Sequence, residues 1–243
     1  MKVLLAGRYL ETIEKILLQS SDVEIVDNSP DLVITHGGDG SLLGAEREYP
    51  GIPKLPVRDT QLAPLCNRHS SFIDLFNDYR NNKLKKTELI KLSGVTSRGE
   101  QLSGINDVFI HNVDRAGALR YRVLIGDQPY GHEIIGDGVG VATVHGSTAY
   151  YRSITHSIFK IGIGLAFSNS TEVTSHLVLP EDTAITVKIT RGPAILVADN
   201  GPKSLELNEG DSVRIKKVED CAVIYGLDRF MCPECKKLRH YGK

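Results

Sequence analysis

Three glycines crowd one carboxylate in Gly37-Gly38-Asp39-Gly40-Ser41, between an apolar run, Asp31-Leu32-Val33-Ile34-Thr35-His36, and Leu42-Leu43-Gly44-Ala45-Glu46-Arg47. The pattern predicts a strand, a sharp turn and a helix with Ser41 near its N-cap. Glycine lets the backbone turn tightly and bring its N–H groups close to an anion. A helix N-terminus adds a positive dipole end, so the turn has the makings of a phosphate cradle. A carboxylate inside such a cradle repels phosphate. It fits if Asp39 binds Mg²⁺ or takes a proton from an attacking hydroxyl. The bland alternative is a tight strand–helix connection carrying a surface aspartate.

Two familiar phosphate motifs do not account for it. The chain contains no G-x-x-x-x-G-K-[ST], which removes the P-loop machinery. The spacing Gly38-x-Gly40-x-x-x-Gly44 is one residue too long for the dinucleotide fingerprint, and the turn follows the second or third strand rather than the first. Net charge is −1 over 243 residues, so no field favours nucleic acid or an anionic membrane. No run approaches the ~18 apolar residues of a membrane helix, and Met1–Gly7 reads as a first strand rather than a signal peptide. The expected compartment is the cytosol.

Strand and helix patterns alternate over the first 86 residues, as α/β units require. Val3–Ala6, Val23–Val26, Leu32–Ile34 and Lys54–Arg58 are expected strands, and a helix is expected around Ser71 to Tyr79. From residue 87 the character changes to β-branched strands broken by Gly, Asp, Asn or Pro: Thr87–Leu92, Asp107–His111, Leu119–Ile125, Val139–Thr143, Ala184–Thr190, Ala194–Ala198 and Ser212–Lys216. The expected domains are 1–86 (α/β, carrying the glycine turn), 87–218 (β-rich, substrate-binding) and a segment 219–243 in which Cys221–Gly226 returns to the first domain.

Three further segments accompany the turn. Asp137-Gly138-Val139-Gly140-Val141-Ala142-Thr143-Val144-His145-Gly146-Ser147-Thr148-Ala149-Tyr150 joins an Asp-Gly to a Gly-Ser-Thr-Ala-Tyr. Upstream lies Ile105-Asn106-Asp107-Val108-Phe109-Ile110-His111, and downstream Ile195-Leu196-Val197-Ala198-Asp199-Asn200-Gly201. In this order the four elements resemble the NAD kinase family of the Gly-Gly-Asp-Gly kinase superfamily, over roughly residues 30 to 200. Gly-Ser-Thr-Ala-Tyr is the specific element.

The resemblance implies an NAD-kinase architecture, a Rossmann-like α/β domain followed by a β-rich domain. It also implies phosphorylation of the adenosine-ribose 2′-hydroxyl of NAD, with ATP or polyphosphate as donor and a divalent cation such as Mg²⁺. Asp39 falls on the family's base. Gly37, Gly38, Gly40 and Ser41 would leave room for ribose and phosphate. Ser147, Thr148, Ala149 and Tyr150 would wall the acceptor pocket beside Thr143 and Ser153, and Asn106 with Asp107 stand at the family's Asn-Glu. Asp137 and Asp199 match their segments directly. The resemblance implies NAD and ATP as small-molecule partners and a homo-oligomer. The alternatives are a kinase for another nucleoside or polyol, and a nucleotide-binding regulator without turnover. Taken as ordinary sequence, Gly146-Ser147-Thr148 is a capped helix start, and Asp137 and Asp199 are turn aspartates.

The chain departs from the family at several points. Pro56-Val57-Arg58-Asp59-Thr60-Gln61-Leu62-Ala63-Pro64-Leu65 replaces a glycine- and Asn-containing segment, Ile154-Thr155-His156-Ser157 replaces Ala-Gly-Gly-Pro, and Thr174-Ser175-His176 replaces Ser-x-Arg. Arg58, His145 and His156 are therefore new polar groups near the inferred site. Among the cysteines, Cys66 and Cys221 read as small core residues. Cys232-Pro233-Glu234-Cys235 reads first as a reduced C-x-x-C on a basic tail. Zinc at Cys232 and Cys235 would draw on His240 as a possible third ligand and need Cys221 or a second chain to complete four.

Overall fold

The computed structural model of the protein describes residues 1–59 and 69–232. It divides into two compact units, Met1–Leu89 with the chain from Cys221 onward, and Ile90–Asp220.

The first unit is built on β1 (Lys2–Gly7), α1 (Glu11–Leu17), β2 (Glu24–Ile25), β3 (Leu32–Gly37), α2 (Asp39–Glu48), β4 (Lys54–Arg58) and α3 (Phe72–Arg80). Its parallel strands run in the order β2-β1-β3-β4. Leu32 to Thr35 and all of β4 are buried, the near-continuous apolar run expected of a covered parallel strand. Pro56 is tolerated inside β4 for a geometric reason. Val33 donates to the Pro53 carbonyl and Asp59 to that of Gly37, so the odd-numbered amides of this strand face β3. The nitrogen of Pro56 faces away, and the β3 ladder loses no bond. Helix α3 opens where the sequence expects it, with the Ser71 hydroxyl accepting from the Asp74 amide at 3.2 Å, an N-cap.

Helix α2 begins at Asp39 with Gly38 as N-cap, so Ser41 lies inside the first turn rather than at the cap. The reason is steric. Gly37 has φ +144°, and a Cβ there would overlap the Ser41 hydroxyl. The backbone reverses at Gly37 and enters the helix three residues earlier than a Ser41 cap would allow. The far end of α2 is fixed by a buried ion pair, Lys54 to Glu46, with Lys54 Nζ also donating to the Tyr49 carbonyl at 2.6 Å.

The second unit is sheet-rich. Its strands are β5 (Lys86–Thr96, entering from the first unit), β6 (Gln101–Gly104), β7 (Asp107–Asn112), β8 (Leu119–Ile125), β9 (Gln128–Gly136), β10 (Gly138–Ala142), β11 (Ile163–Ser168), β12 (His176–Leu179), β13 (Ile185–Arg191), β14 (Ala194–Ala198), β15 (Leu205–Leu207) and β16 (Ser212–Tyr225); α4 spans Tyr150–Thr155. One layer orders β16-β13-β8-β9, with β5 pairing β16 and β6; the other orders β12-β11-β10-β7-β14-β15. Val108, Ile110, Val139, Val141, Val187, Leu196 and Ile215 belong to the single core between these layers. Each such side chain contributes about 1.5–3 kcal/mol on burial.

The expected separate strands Ser212–Lys216 and Cys221–Gly226 are one continuous strand, β16, which carries the chain back into the first unit. There Ile224 pairs in parallel with Lys54 and α5 (Leu227–Phe230) follows. Strands β6, β9, β11, β12 and β15 carry no expectation in the sequence. In β11 the cause is packing: a Cβ on Gly164 would strike the Tyr151 and Phe159 rings, so the face that would carry a β-branched signal is bare.

Lys54→Met is expected to leave the Glu46 carboxylate buried without its cation and to lower unfolding free energy by about 3–5 kcal/mol. Chemical denaturation at neutral pH measures it. An equal midpoint and slope for variant and wild type would remove the pair from the list of fold determinants.

Candidate functional site

The sequence-expected residues fall into two clusters, one in each unit. In the first unit, Asp39 stands at the first residue of α2. The N-cap residue Gly38 offers no side-chain hydrogen bond, so no capping side chain competes for the amides of the first turn, the groups that bind anions in such turns. The Ser41 amide bonds the Gly38 carbonyl at 3.0 Å.

Arg58 Nη2 donates to Asp39 Oδ1 at 3.3 Å and to the Phe230 carbonyl at 3.1 Å, and its guanidinium carbon lies 4.2 Å from the centre of the Phe230 ring. The Arg58 side chain is 4% exposed and that of Asp39 36%. A buried guanidinium needs such partners. The sequence marks Arg58 as a departure, but its anchor at Phe230 is 172 residues away and leaves no local signal. Residues 60–65 of the replaced segment lie outside the described residues, as do Cys66 and Cys235.

In the second unit, the chain between β6 and β7 is tied to the turn after β10. The Asp199 carboxylate accepts from the backbone amides of Ile105 at 3.0 Å, Asn106 at 2.7 Å and Asp107 at 3.2 Å. Its own amide donates to the Asp107 carbonyl at 3.0 Å. Asp199 holds φ +49° to do so, a conformation that Asp tolerates better than most residues. The Thr143 hydroxyl donates to the Ile105 carbonyl at 2.6 Å and accepts from the Gly146 amide at 3.0 Å. A Cβ on Gly146 would overlap the Asn106 carbonyl, so only glycine allows this approach. The Ser147 hydroxyl donates to the carbonyls of Val144 at 2.8 Å and Phe159 at 3.1 Å.

Thr143, Ser147 and Asp199 thus spend their polar atoms on backbone. Asn106 is half-buried beside them, while Thr148, Tyr150 and Ser153 are exposed on the surface of the same cluster. The Gly146–Thr148 turn is 3₁₀ rather than the start of a capped α-helix, and α4 follows at Tyr150. The Tyr150 ring packs edge-on to Phe109 at 4.8 Å and tilted against His111 at 5.4 Å. Among the replaced positions, His156 closes α4 in the left-handed region at φ +55°, and the His176 ring packs on Tyr151 at 5.7 Å. Asp137 is not in the cluster. It precedes β10 while Thr143 follows it, roughly 20 Å away along extended chain. It accepts instead from Asn169 Nδ2 at 2.9 Å.

Asp107 is 6% exposed. Burial, with the Asp199 charge beside it, pushes its pKa up to about 7. The His111 imidazole is pushed below its usual value by burial.

The stretch that holds all of this cluster, residues 105–226, matches the family model of the ATP-NAD kinase C-terminal domain. The chain belongs to the NAD kinase family. The NAD kinase of Alcanivorax borkumensis is 30% identical over 216 residues, 82% of this chain and 70% of that protein. The NAD kinase of Leuconostoc mesenteroides is 28% identical over 152 residues, 56% of this chain; the match spans only 54% of that relative's length. Among solved structures, an NAD kinase from Archaeoglobus fulgidus in complex with ATP aligns at a TM-score of 0.75 and 18% identity, over 98% of this chain and 99% of that one. Yeast NADH kinase complexed with NADH aligns at 0.77 and 17%, over 93% and 83%. At these identities the likeness is one of fold: the expected α/β unit plus β-rich unit of NAD kinases is the fold found.

The Asp107 carboxyl sets the sign of one pH effect. The folded state keeps this proton up to about pH 7, whereas an unfolded Asp releases it near 3.9. The unfolded state therefore binds fewer protons between these values, and Asp107's contribution to stability falls as pH rises through that window, then levels off. Asp107→Asn should match wild type near pH 4 and exceed it increasingly up to pH 7–8, by at most about 4 kcal/mol. Thermal unfolding across this range measures the difference; a pH-independent difference contradicts it.

Proposed function

We propose that the protein is an ATP-dependent kinase that phosphorylates the adenosine-ribose 2′-hydroxyl of NAD to give NADP, with Asp39 as general base. The observation that carries the reading is the Asp39 carboxylate. It is partly exposed at a glycine turn that opens a helix and is oriented by a buried arginine. Phosphoryl transfer asks little covalent chemistry of a protein beyond positioning and charge neutralisation. Asp39 accepts the hydroxyl proton as the ribose oxygen forms its bond to the γ-phosphorus; the bond from that phosphorus to the β,γ-bridging oxygen breaks, and ADP leaves with the electron pair. The first-turn amides of α2 suit phosphate oxygens.

In the second unit we assign Asn106 and Asp107 to the adenine edge or ribose diol, with the exposed Thr148, Tyr150 and Ser153 and the half-buried Ala149 beside them. Thr143, Ser147 and Asp199 act one step back, as the fixtures of that loop. A protonated Asp107 near neutral pH can donate as well as accept.

Among the described residues no cluster of three acidic or histidine side chains forms a metal cage. Mg²⁺ commonly arrives on nucleotide phosphates with one or two carboxylates; Asp39 is the carboxylate at hand. The ion would neutralise the transferred phosphates. A homo-oligomeric cytoplasmic enzyme completes the proposal, on the family resemblance.

Asp39→Asn is expected to lower kcat by about 10²–10⁴-fold with melting temperature and nucleotide-induced stabilisation retained. A variant keeping more than about a third of the wild-type rate would remove the base assignment. The assay should cover NAD, NADH, adenosine and simple polyols, with products identified by mass. Arg58 in place of a glycine- and Asn-containing segment favours a changed acceptor range, and a product formed only on a non-adenosine acceptor would replace NAD as the substrate.

Turnover is also expected to stop on exhaustive chelation and to return with Mg²⁺ or Mn²⁺. Full activity in chelator would contradict a divalent requirement.

A further inference from the structure

In the second unit, the outer face of the layer β16-β13-β8-β9 brings two cations together without an acid. Tyr121 and Val123 of β8 and Val187 and Ile189 of β13 turn into the core. Alternation along a strand therefore turns Arg122 and Lys188 outward, and both are exposed. They stand directly opposite each other in the antiparallel ladder. Arg214 of β16 lies opposite Thr186, one outward position from Lys188. Like charges directly opposite in a ladder are destabilising. Arg120 on β8 finds Glu133 at 3.5 Å, and Lys217 on β16 finds Glu181. Among the described residues Arg122, Lys188 and Arg214 form no hydrogen bond or ion pair.

The sheet also opens beside Arg122. Tyr121 pairs with Ile134 and Val123 with Tyr130, so Arg122 alone faces Gly131, His132 and Glu133. Gly131 holds φ +60°, a left-handed conformation that glycine adopts at bulges without strain. A bulge re-aims the side chains around it. The result is a cavity of about 590 Å³ whose lining includes Arg122, Leu124, Pro129, His132, Glu133 and Lys188. Small-molecule sites span about 300–1,000 Å³.

The lining selects a class of ligand. Arg122 and Lys188 offer a planar fork and a point charge from adjacent strands, a combination suited to phosphate. Glu133 and His132 in the same wall suit hydroxyl groups, which both donate and accept. Leu124 and Pro129 add a short apolar surface, enough for the carbons of one ring and too little for an acyl chain.

We propose that this cavity binds a sugar phosphate, free or as part of a nucleotide, with its phosphate between Arg122 and Lys188. The anion relieves the repulsion that the empty ladder carries. The site lies wholly within the second unit and shares no residue with the cluster around Asn106 and Tyr150.

The test reads binding and not turnover, so it stands or falls apart from the kinase reading. Ribose 5-phosphate is titrated into the full chain by calorimetry, and hydrogen–deuterium exchange locates it. Saturable binding is expected, with slowed exchange in peptides covering residues 122–133 and 185–189. Arg122→Gln and Lys188→Gln should each weaken binding about tenfold or more. Both should melt no lower than wild type, since each removes a repulsion. Ribose should protect nothing. AMP in the same assay names the source: stronger protection of these peptides than by ribose 5-phosphate assigns a nucleotide, weaker protection a free sugar phosphate. Asp39→Asn should bind as wild type does; a loss there would place the ligand at the glycine turn and overturn the proposal. Absence of protection at about 10 mM ribose 5-phosphate, or unchanged affinity in either Gln variant, also overturns it. Inorganic phosphate binding as tightly as ribose 5-phosphate would do the same, leaving a surface ion site only.

Discussion

One buried guanidinium organises the first unit. Arg58 leaves the end of the central strand β4 with 4% of its side chain exposed, and a cation withdrawn from water that far is destabilising by several kcal/mol unless it is met. The glycine turn meets it with the Asp39 carboxylate, and the returning chain meets it with the Phe230 carbonyl and ring. The same contacts that satisfy Arg58 thus orient Asp39 and dock α5. The apolar side does the same: Leu42 of α2 packs with Ile224, Leu227 and Phe230, so helix α2 is held from its front by charge and from beneath by hydrophobic contact.

The second unit solves a similar problem with one anion. Asp199 gathers three consecutive backbone amides that would otherwise need partners where strands end, and charge-assisted bonds of this kind are about twice as strong as neutral ones. Its charge in turn discourages ionisation of Asp107 next door. Family-matched residues here divide into those that hold the loop and those that the loop displays, a division invisible in a motif that lists both together.

That division also marks what the sequence can carry. Leu119–Ile125 and Ala194–Ala198 were readable to the residue, because alternating burial in a half-covered sheet writes itself into side-chain type. The strand, turn and helix around Asp39 were readable because three clustered glycines have few other uses. Gly164 hid a strand, since a close approach by Tyr151 and Phe159 demands the absence of a side chain. The N-cap falls at Gly38, with Ser41 in the first turn, because the backbone reverses at Gly37, whose φ is positive. The partners of Arg58 and His69 were unreadable for a plainer reason: both contacts join segments more than a hundred residues apart, and no local pattern encodes them.

The route of β16 has a consequence for how this protein is made. The first unit is discontinuous: Leu42 of α2 packs with Ile224, Leu227 and Phe230, which follow the whole of the second unit in the chain. A ribosome adding roughly 5–20 residues per second therefore releases Leu42 and its neighbours on the order of ten seconds before their cover exists. The second unit can close on itself meanwhile, while the first waits with an apolar face in water. Loss of even a short stretch at the far end of the message would thus be felt at the beginning of the polypeptide, where the glycine turn lies.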